Sequence, residues 1–240
     1  MNDHANSFGN AAEAYERGRP TYPAEALDWL LPPGHPRVID LGAGTGKLTR
    51  GLLERGLEVT AVDPSDGMLT QLRAALPGVP AVRGSAEAIP LPDGCADAVL
   101  VAQAWHWVDP ARAVPEVARV LSPAGRLGLI WNLRDERTAW VRRLGEIIGN
   151  AENERETAVG PPFGPVEVRH FTWTQTLGPE RLLDLVASRS SIILMPPAER
   201  AAVLNEVRRL LATHPELVGR TEFPLPYITE CARATLTRRS

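Results

Sequence analysis

A carboxylate, a run of alternate glycines and a second carboxylate make the most chemically pointed spacing in this chain. Asp40 precedes Gly42, Gly44 and Gly46, and Asp63 follows near the ~20-residue interval at which an acid meets a ribose in nucleotide-binding folds. Glycine lacks a Cβ, so the stretch Gly42-Ala43-Gly44-Thr45-Gly46 can take positive φ and admit a ligand close to its backbone. Asp40 beside that turn suits a ligand ammonium, directly or through water. Asp63 either accepts ribose hydroxyls through charge-assisted bonds or opens the turn Asp63-Pro64-Ser65, a task Asp performs well. Further on, Gln103-Ala104-Trp105-His106-Trp107 gathers an amide, two indoles and an imidazole. The tryptophans can exclude water and face a cation, or serve as ordinary packing. His106 can act as a general base toward an oxygen or nitrogen acceptor, or cap a backbone group.

Three ligand chemistries share a strand, a glycine turn and a helix N-terminus. A nucleoside triphosphate loop requires G-x-x-x-x-G-K-[ST]; here Leu41 stands five before Gly46 and Leu48 follows Lys47 where a hydroxyl is required. A dinucleotide site requires G-x-G-x-x-G; here the third glycine falls one place early. The remaining reading is S-adenosylmethionine, whose lack of a pyrophosphate leaves the glycines to admit its amino acid and ribose. A glycine turn with no ligand is the plain alternative.

The elements that must position these groups follow from periodicity. Val38–Leu41, Leu57–Val62, Val79–Arg83 and the continuous apolar run Ala98–Ala102 read as strands, with helical spacing between them. That alternation specifies a doubly wound α/β sheet, in which ligands bind beyond the carboxyl ends of the strands. A helix is expected over Pro110–Val120 with Pro115 straining it, then a turn at Leu121–Gly125 and a strand at Leu127–Trp131. Beyond Asp135 the pattern predicts helices at Ala139–Thr157, Pro179–Ala187 and Ala198–Ala212, and strands at Val166–Leu177 and Phe223–Cys231. Ser188-Arg189-Ser190 either faces a pocket or ends a helix. Near the N-terminus, Ala11–Arg17 and Ala24–Leu31 read as short helices around the breakers Gly18, Pro20 and Pro23.

The string V-I-D-L-G-A-G-T-G-K-L-T resembles the first motif of the class I S-adenosylmethionine-dependent methyltransferases. The resemblance continues through G-S-A-E-A-I-P-L-P-D-G-C-A-D, Q-A-W-H-W and E-V-A-R-V-L-S-P-A-G-R-L, covering about residues 8–135. It implies a Rossmann-like seven-stranded sheet, mostly parallel with an antiparallel last strand, and S-adenosyl-L-methionine as cofactor. It implies an adenine site near Met68, Ser85, Ala86 and Glu87, although the family more often has Asp-Ala where this chain has Ser85-Ala86. Met68 is equally a core residue. Beyond the carboxyl end of a strand, Gln103 and His106 fall where the transferred methyl should lie, with Trp105, His106 and Trp107 around the acceptor; the resemblance to the family's Q-A-x-H-W segment supports a site role there without naming one. The segment F-G-N-A-A-E-A-Y-E-R-G-R-P-T-Y-P is similar to the N-terminal arm of a subgroup that includes trans-aconitate-type enzymes, which implies a lid bringing Tyr15 and Arg19 to the cofactor; an arm merely packed on the surface is the alternative.

Composition bounds the rest. At 240 residues the chain fits one domain, with residues 1–35 as arm, 36–135 as cofactor core and 136–240 completing the sheet and acceptor pocket. A net charge of −3 gives no general nucleic-acid footprint. Cys95 and Cys231 are isolated, so neither a disulfide framework nor a metal site is expected. The polar start and the absence of a membrane-length apolar run point to the cytoplasm. The expected activity is methyl transfer to a small-molecule acceptor, at oxygen or nitrogen, a carboxylate included. The rivals are a nucleotide-dependent oxidoreductase and a non-catalytic cofactor-binding protein on the same fold.

Overall fold

A computed structural model describes residues 20–149 and 159–237. Tyr15, Arg19 and the helix expected at Ala11–Arg17 lie outside the described residues. The first described elements are helix α1 (Ala24–Leu30), strand β1 (Arg37–Leu41), helix α2 (Lys47–Leu53), strand β2 (Glu58–Asp63), helix α3 (Asp66–Ala75) and the short strand β3 (Ala81–Arg83). Strand β4 (Ala96–Ala102) leads into a 3₁₀ turn, Trp105–Trp107, and helix α4 (Pro110–Val120). Strand β5 (Leu121–Arg134), helix α5 (Ala139–Ile148), strand β6 (Glu167–Leu177), helices α6 (Pro179–Ala187), α7 (Ser190–Ile193) and α8 (Pro197–Thr213), and strand β7 (Phe223–Thr235) complete the described chain.

The strands form a seven-stranded sheet in the order β3-β2-β1-β4-β5-β7-β6. The first five pair in parallel. The last pairings run the other way, as the mixed sheet of the expected fold requires. Leu236 N–H donates to Gly125 O at 2.8 Å and Asp135 N–H to Pro226 O at 2.9 Å, so β5 climbs as β7 descends. The cross-strand pairs His170–Glu230 and Glu167–Arg233 give β6 and β7 the same antiparallel relation. Because β4 joins β1 on the side away from β2, the direction in which strands are added to the sheet reverses between β1 and β4. Ligand crevices open at such a point.

The described residues divide into two compact units. One spans residues 21–132, 159–171 and 229–237. Its core joins Leu27 and Leu30 of α1, Leu48 and Leu52 of α2, and Val38, Val59, Leu100 and Ile130 of the sheet. Gly128 carries no side chain because an added Cβ would lie 2.5 Å from Leu100 and 3.1 Å from Leu30. Each fully buried leucine here contributes ~1.5–3 kcal/mol. The other unit, residues 133–149 and 172–228, is built on Trp140, Leu144, Leu182, Phe223 and Leu225, with Trp140 edge-on to Phe223 at 5.4 Å.

Two expectations change. The turn at Leu121–Gly125 falls inside β5: Leu121 pairs with Ala96 and Arg126 with Ala98, so the residues between bulge out, with Ala124 at φ +63°. The strand resumes at Arg126 because the core side chains Leu127 and Leu129 must return to the ladder. The helix from Ala139 reaches Ile148 and stops at Gly149, whose φ of +75° breaks the helical path; residues 150–158 lie outside the description. Helix α4 survives Pro115, a residue that costs ~3 kcal/mol inside a helix. Asp109 caps it by accepting from Ala111 N–H at 3.1 Å, and Ala113, Val114, Val117 and Val120 are buried.

Candidate functional site

Gly42 N–H and Ala43 N–H both donate to Val62 O, at 2.8 and 3.1 Å, which bends the chain after β1 against the end of β2. Gly42, Gly44 and Gly46 all have positive φ. Their surroundings differ. A Cβ on Gly42 would lie 2.9 Å from the Ala104 Cβ, so the turn and the residue after Gln103 are in close contact. Among the described residues, a Cβ on Gly44 would meet nothing within 4 Å. The turn is therefore closed against protein on one side and open on another.

Asp63 fixes that turn. Its Oδ2 accepts Gly44 N–H and its Oδ1 accepts Ser65 N–H, each at 2.8 Å, while the residue is only 7% exposed. Burial raises its carboxyl above the usual range, and the two N–H bonds oppose that rise. Ser65 then caps α3 by accepting from Met68 N–H, which leaves Met68 buried and Pro64 exposed. Gly84 N–H donates to Asp63 O at 3.2 Å, so Ser85, Ala86 and Glu87 start from the same edge. Ala86 is buried. Glu87 Oε1 accepts Asp109 N–H at 3.0 Å and ties this loop to the start of α4. Burial raises the Glu87 carboxyl, but the bonds from Asp109 and Ser85 outweigh it and hold the group below its ordinary range.

Asp40 is fully buried in β1. Thr49 Oγ1, from α2, donates to its Oδ2 at 2.6 Å, whereas the buried Oδ1 has no hydrogen-bond partner among the described residues. Burial pushes this carboxyl up to about 7 against the Thr49 bond. A proton is thus held more tightly in the folded chain than in the unfolded one. The group's stabilisation is complete below the ordinary carboxylate pKa and is lost as pH rises toward about 7. Asp40→Asn keeps an oxygen for Thr49 and cannot ionise. The wild type is therefore expected to lose stability relative to the variant from about pH 4 to about pH 7, by on the order of 2–4 kcal/mol. Thermal or urea melts across that range check this; curves that stay parallel would mean that Asp40 ionises without cost.

At the end of β4, Gln103 has φ +56°, unusual for a side-chain-bearing residue and a mark of over-determined backbone. Its N–H donates to Ile130 O at 2.9 Å and its Nε2 to Asn132 O at 3.4 Å. The following turn splits the aromatic segment. Trp105 is 2% exposed with its indole N–H buried, while His106 and Trp107 are exposed and their rings lie 4.8 Å apart. Trp105 thus packs inward and does not share a surface with the other two, because successive positions of so tight a turn point in different directions.

The structure brings the ends of β1, β2 and β4 together and runs Ser85–Glu87 off the same edge. Thr45 and Ala43 are buried within the turn. Ser188 ends a helix: its Oγ donates to Leu185 O at 2.7 Å. Asp93 and Asp97 pair with Arg119 and Arg37, as residues of a turn and a strand entry. A cavity of about 450 Å³ lies elsewhere, at the amino ends of β1, β2 and β4, lined by Arg37, Glu58 and Cys95 among apolar groups. Its lining includes none of Asp40, Gly42, Gly44, Gly46, Asp63, Ser85, Ala86, Glu87, Gln103, Trp105, His106 and Trp107. Sequence reasoning passed over Thr49 and Asn132. The signal for Asn132 was a lone amide in the apolar run L-G-L-I-W-N-L.

Comparison with known proteins gives the family. A family model described as a methyltransferase domain covers residues 39–129. A protein named as an uncharacterized methyltransferase in Mycobacterium tuberculosis is 61% identical over 236 residues, 98% of this chain and 97% of its own. A solved structure from Anaeromyxobacter dehalogenans that carries a type II methyltransferase name matches with a TM-score of 0.68 and 27% identity over 92% of this chain and 99% of its own. The phosphoethanolamine N-methyltransferase 2 of Haemonchus contortus, solved with S-adenosyl-L-methionine, shares the fold at a TM-score of 0.56 and 16% identity, over 96% of this chain and 57% of its own. The chain belongs to the class I S-adenosylmethionine-dependent methyltransferases. Its cofactor is S-adenosyl-L-methionine. The site suits that molecule: Asp40 presents an unsatisfied buried oxygen, and Gly44 leaves the backbone uncovered. Among the described residues no helix is long and apolar enough to cross a membrane.

Proposed function

We propose that this methyltransferase acts on a small molecule, at an oxygen or nitrogen, with a carboxylate among the oxygen acceptors. The observation that carries the reading is the open side of Gly44, bounded by the Asp63 bond to Gly44 and the contact of Gly42 with Ala104. Asp40 holds the cofactor's ammonium, directly or through water. Asp63 has lone pairs beyond those given to Gly44 and Ser65, and these accept ribose hydroxyls. Gly44 admits the ligand to the backbone, and Met68, Ser85 and Ala86 flank the base. When bound, S-adenosylmethionine supplies an activated methyl group on a sulfonium leaving group that needs no proton.

The chain's own task is alignment and exclusion of water, and positioning of reactants can supply ~7–11 kcal/mol. Gln103 bounds the acceptor side, and the exposed pair His106 and Trp107 meets the acceptor as it enters. A hydroxyl or amine acceptor has a proton to lose, and His106 is a secondary aid to that loss; a carboxylate acceptor has none to give. The net charge of −3 offers no broad cationic surface for a polyanion.

Turnover of methyl-labelled cofactor against a metabolite pool tests the reading. Label is expected in an acid-soluble product of low mass. Label confined to precipitated protein or nucleic acid would overturn the small-molecule assignment. His106→Ala and His106→Gln are expected to lower the rate by less than about tenfold, with no new pH dependence. A loss beyond ~10²-fold, with the acid limb of the rate profile abolished, would make His106 the base.

A further inference from the structure

Asn132 sits at the carboxyl half of β5, 7% exposed, and three partners meet there. Its Nδ2 donates to Thr21 O at 2.9 Å, its Oδ1 accepts Thr229 Oγ1 at 2.6 Å, and its main-chain O accepts Gln103 Nε2 at 3.4 Å. Thr229 is fully buried. A carbonyl can only accept, so the Thr21 contact requires the NH₂ of the amide and fixes its orientation. The bond spans 111 positions of sequence and ties the chain just before α1 to the residue whose main-chain O accepts from Gln103, the strained residue at the end of β4. An amide spent this way in the middle of an apolar strand is not needed for the ladder.

We propose that Asn132 is a positioning residue of the transferase. Its amide docks the main chain at Thr21 next to Gln103 and so forms one wall of the site at the strands' carboxyl ends. Thr229 orients the amide. This rests on the assignment of that end to cofactor and acceptor, and it adds a residue that touches neither.

The test uses Asn132→Asp, Asn132→Ala and Thr229→Val in the full chain, with calorimetric titration of S-adenosylmethionine and its demethylated product at pH 8 and pH 5.5, each divided by the wild-type value. Thermal melts establish that each variant is folded. At pH 8, Asn132→Asp sets a carboxylate against the Thr21 carbonyl, and affinity is expected to fall about tenfold, the scale of a buried group left without its partner. At pH 5.5 the protonated acid can donate to Thr21 O as the amide did, and the ratio to wild type is expected to recover. Asn132→Ala shows the same loss without the recovery, and Thr229→Val a loss of about threefold. Recovery on protonation is the readout that a merely structural role would not give. Folded variants that bind as the wild type does at pH 8, or a loss in Asn132→Asp that persists at pH 5.5, would overturn the proposal and leave the site assignment standing. A wild-type chain that binds neither ligand would overturn both.

Discussion

Asp63→Ala is expected to weaken S-adenosylmethionine binding by about 1.5–3 kcal/mol, roughly 10- to 150-fold, the range for hydrogen bonds to a charged group. The carboxylate is buried and already engaged by Gly44 and Ser65 N–H at 2.8 Å each. Its removal takes away the ribose acceptor and the tie that holds the open side of the glycine turn. Asp63→Asn is no rescue, because the amide nitrogen would face one of two N–H donors. Burial raises this carboxyl, so protonation intrudes from the acid side and wild-type affinity is expected to fall as pH falls. Asp63→Asn should lose that part of the pH dependence. Titration calorimetry on variants with intact melts decides the matter. Unchanged affinity in folded Asp63→Ala would reduce the residue to the opener of its turn.

Gly44→Ala and Gly42→Ala are expected to fail in opposite ways. Both positions have positive φ, where alanine costs ~1–2 kcal/mol. At Gly44 no described residue lies within 4 Å of the new methyl, so the chain should fold with only that loss. The methyl projects into the space assigned to the cofactor, and the ~1–3 kcal/mol cost of overpacking there lowers affinity by about 5- to 150-fold. At Gly42 the methyl would stand 2.9 Å from the Ala104 Cβ, and both atoms are fixed by backbone. Overpacking adds to the conformational cost, for a stability loss of about 2–5 kcal/mol. Urea melts and calorimetry on the pair separate stability from binding. Wild-type affinity in folded Gly44→Ala would show that the open side of the turn belongs to no ligand.

The sequence by itself determined the elements whose patterns are local. Alternate glycines after a buried strand, an acid closing the next strand, and Asp109-Pro110 opening an amphipathic helix are each complete within a few residues, and the βαβ alternation limits the sheet to a doubly wound form. The same locality carried Asp40 and Asp63 into the candidate site, because the end of a parallel strand is where a ligand must lie. It did not foresee that Trp105 turns into the core while His106 and Trp107 stay outside, since a 3₁₀ turn and a helix start share one sequence pattern. Tertiary structure alone decided the strand order, the bulge between Leu121 and Arg126, and the partners of each polar group. Thr49 finds Asp40 across a strand and a helix, and Asn132 finds Thr21 across 111 positions. Such pairings are set by which surfaces the packed sheet brings within hydrogen-bond reach. The spacing of residues along the chain carries no record of them. Burial itself, which leaves one oxygen of Asp40 unsatisfied and its proton tightly held, exists only once α2 and the sheet have closed around it.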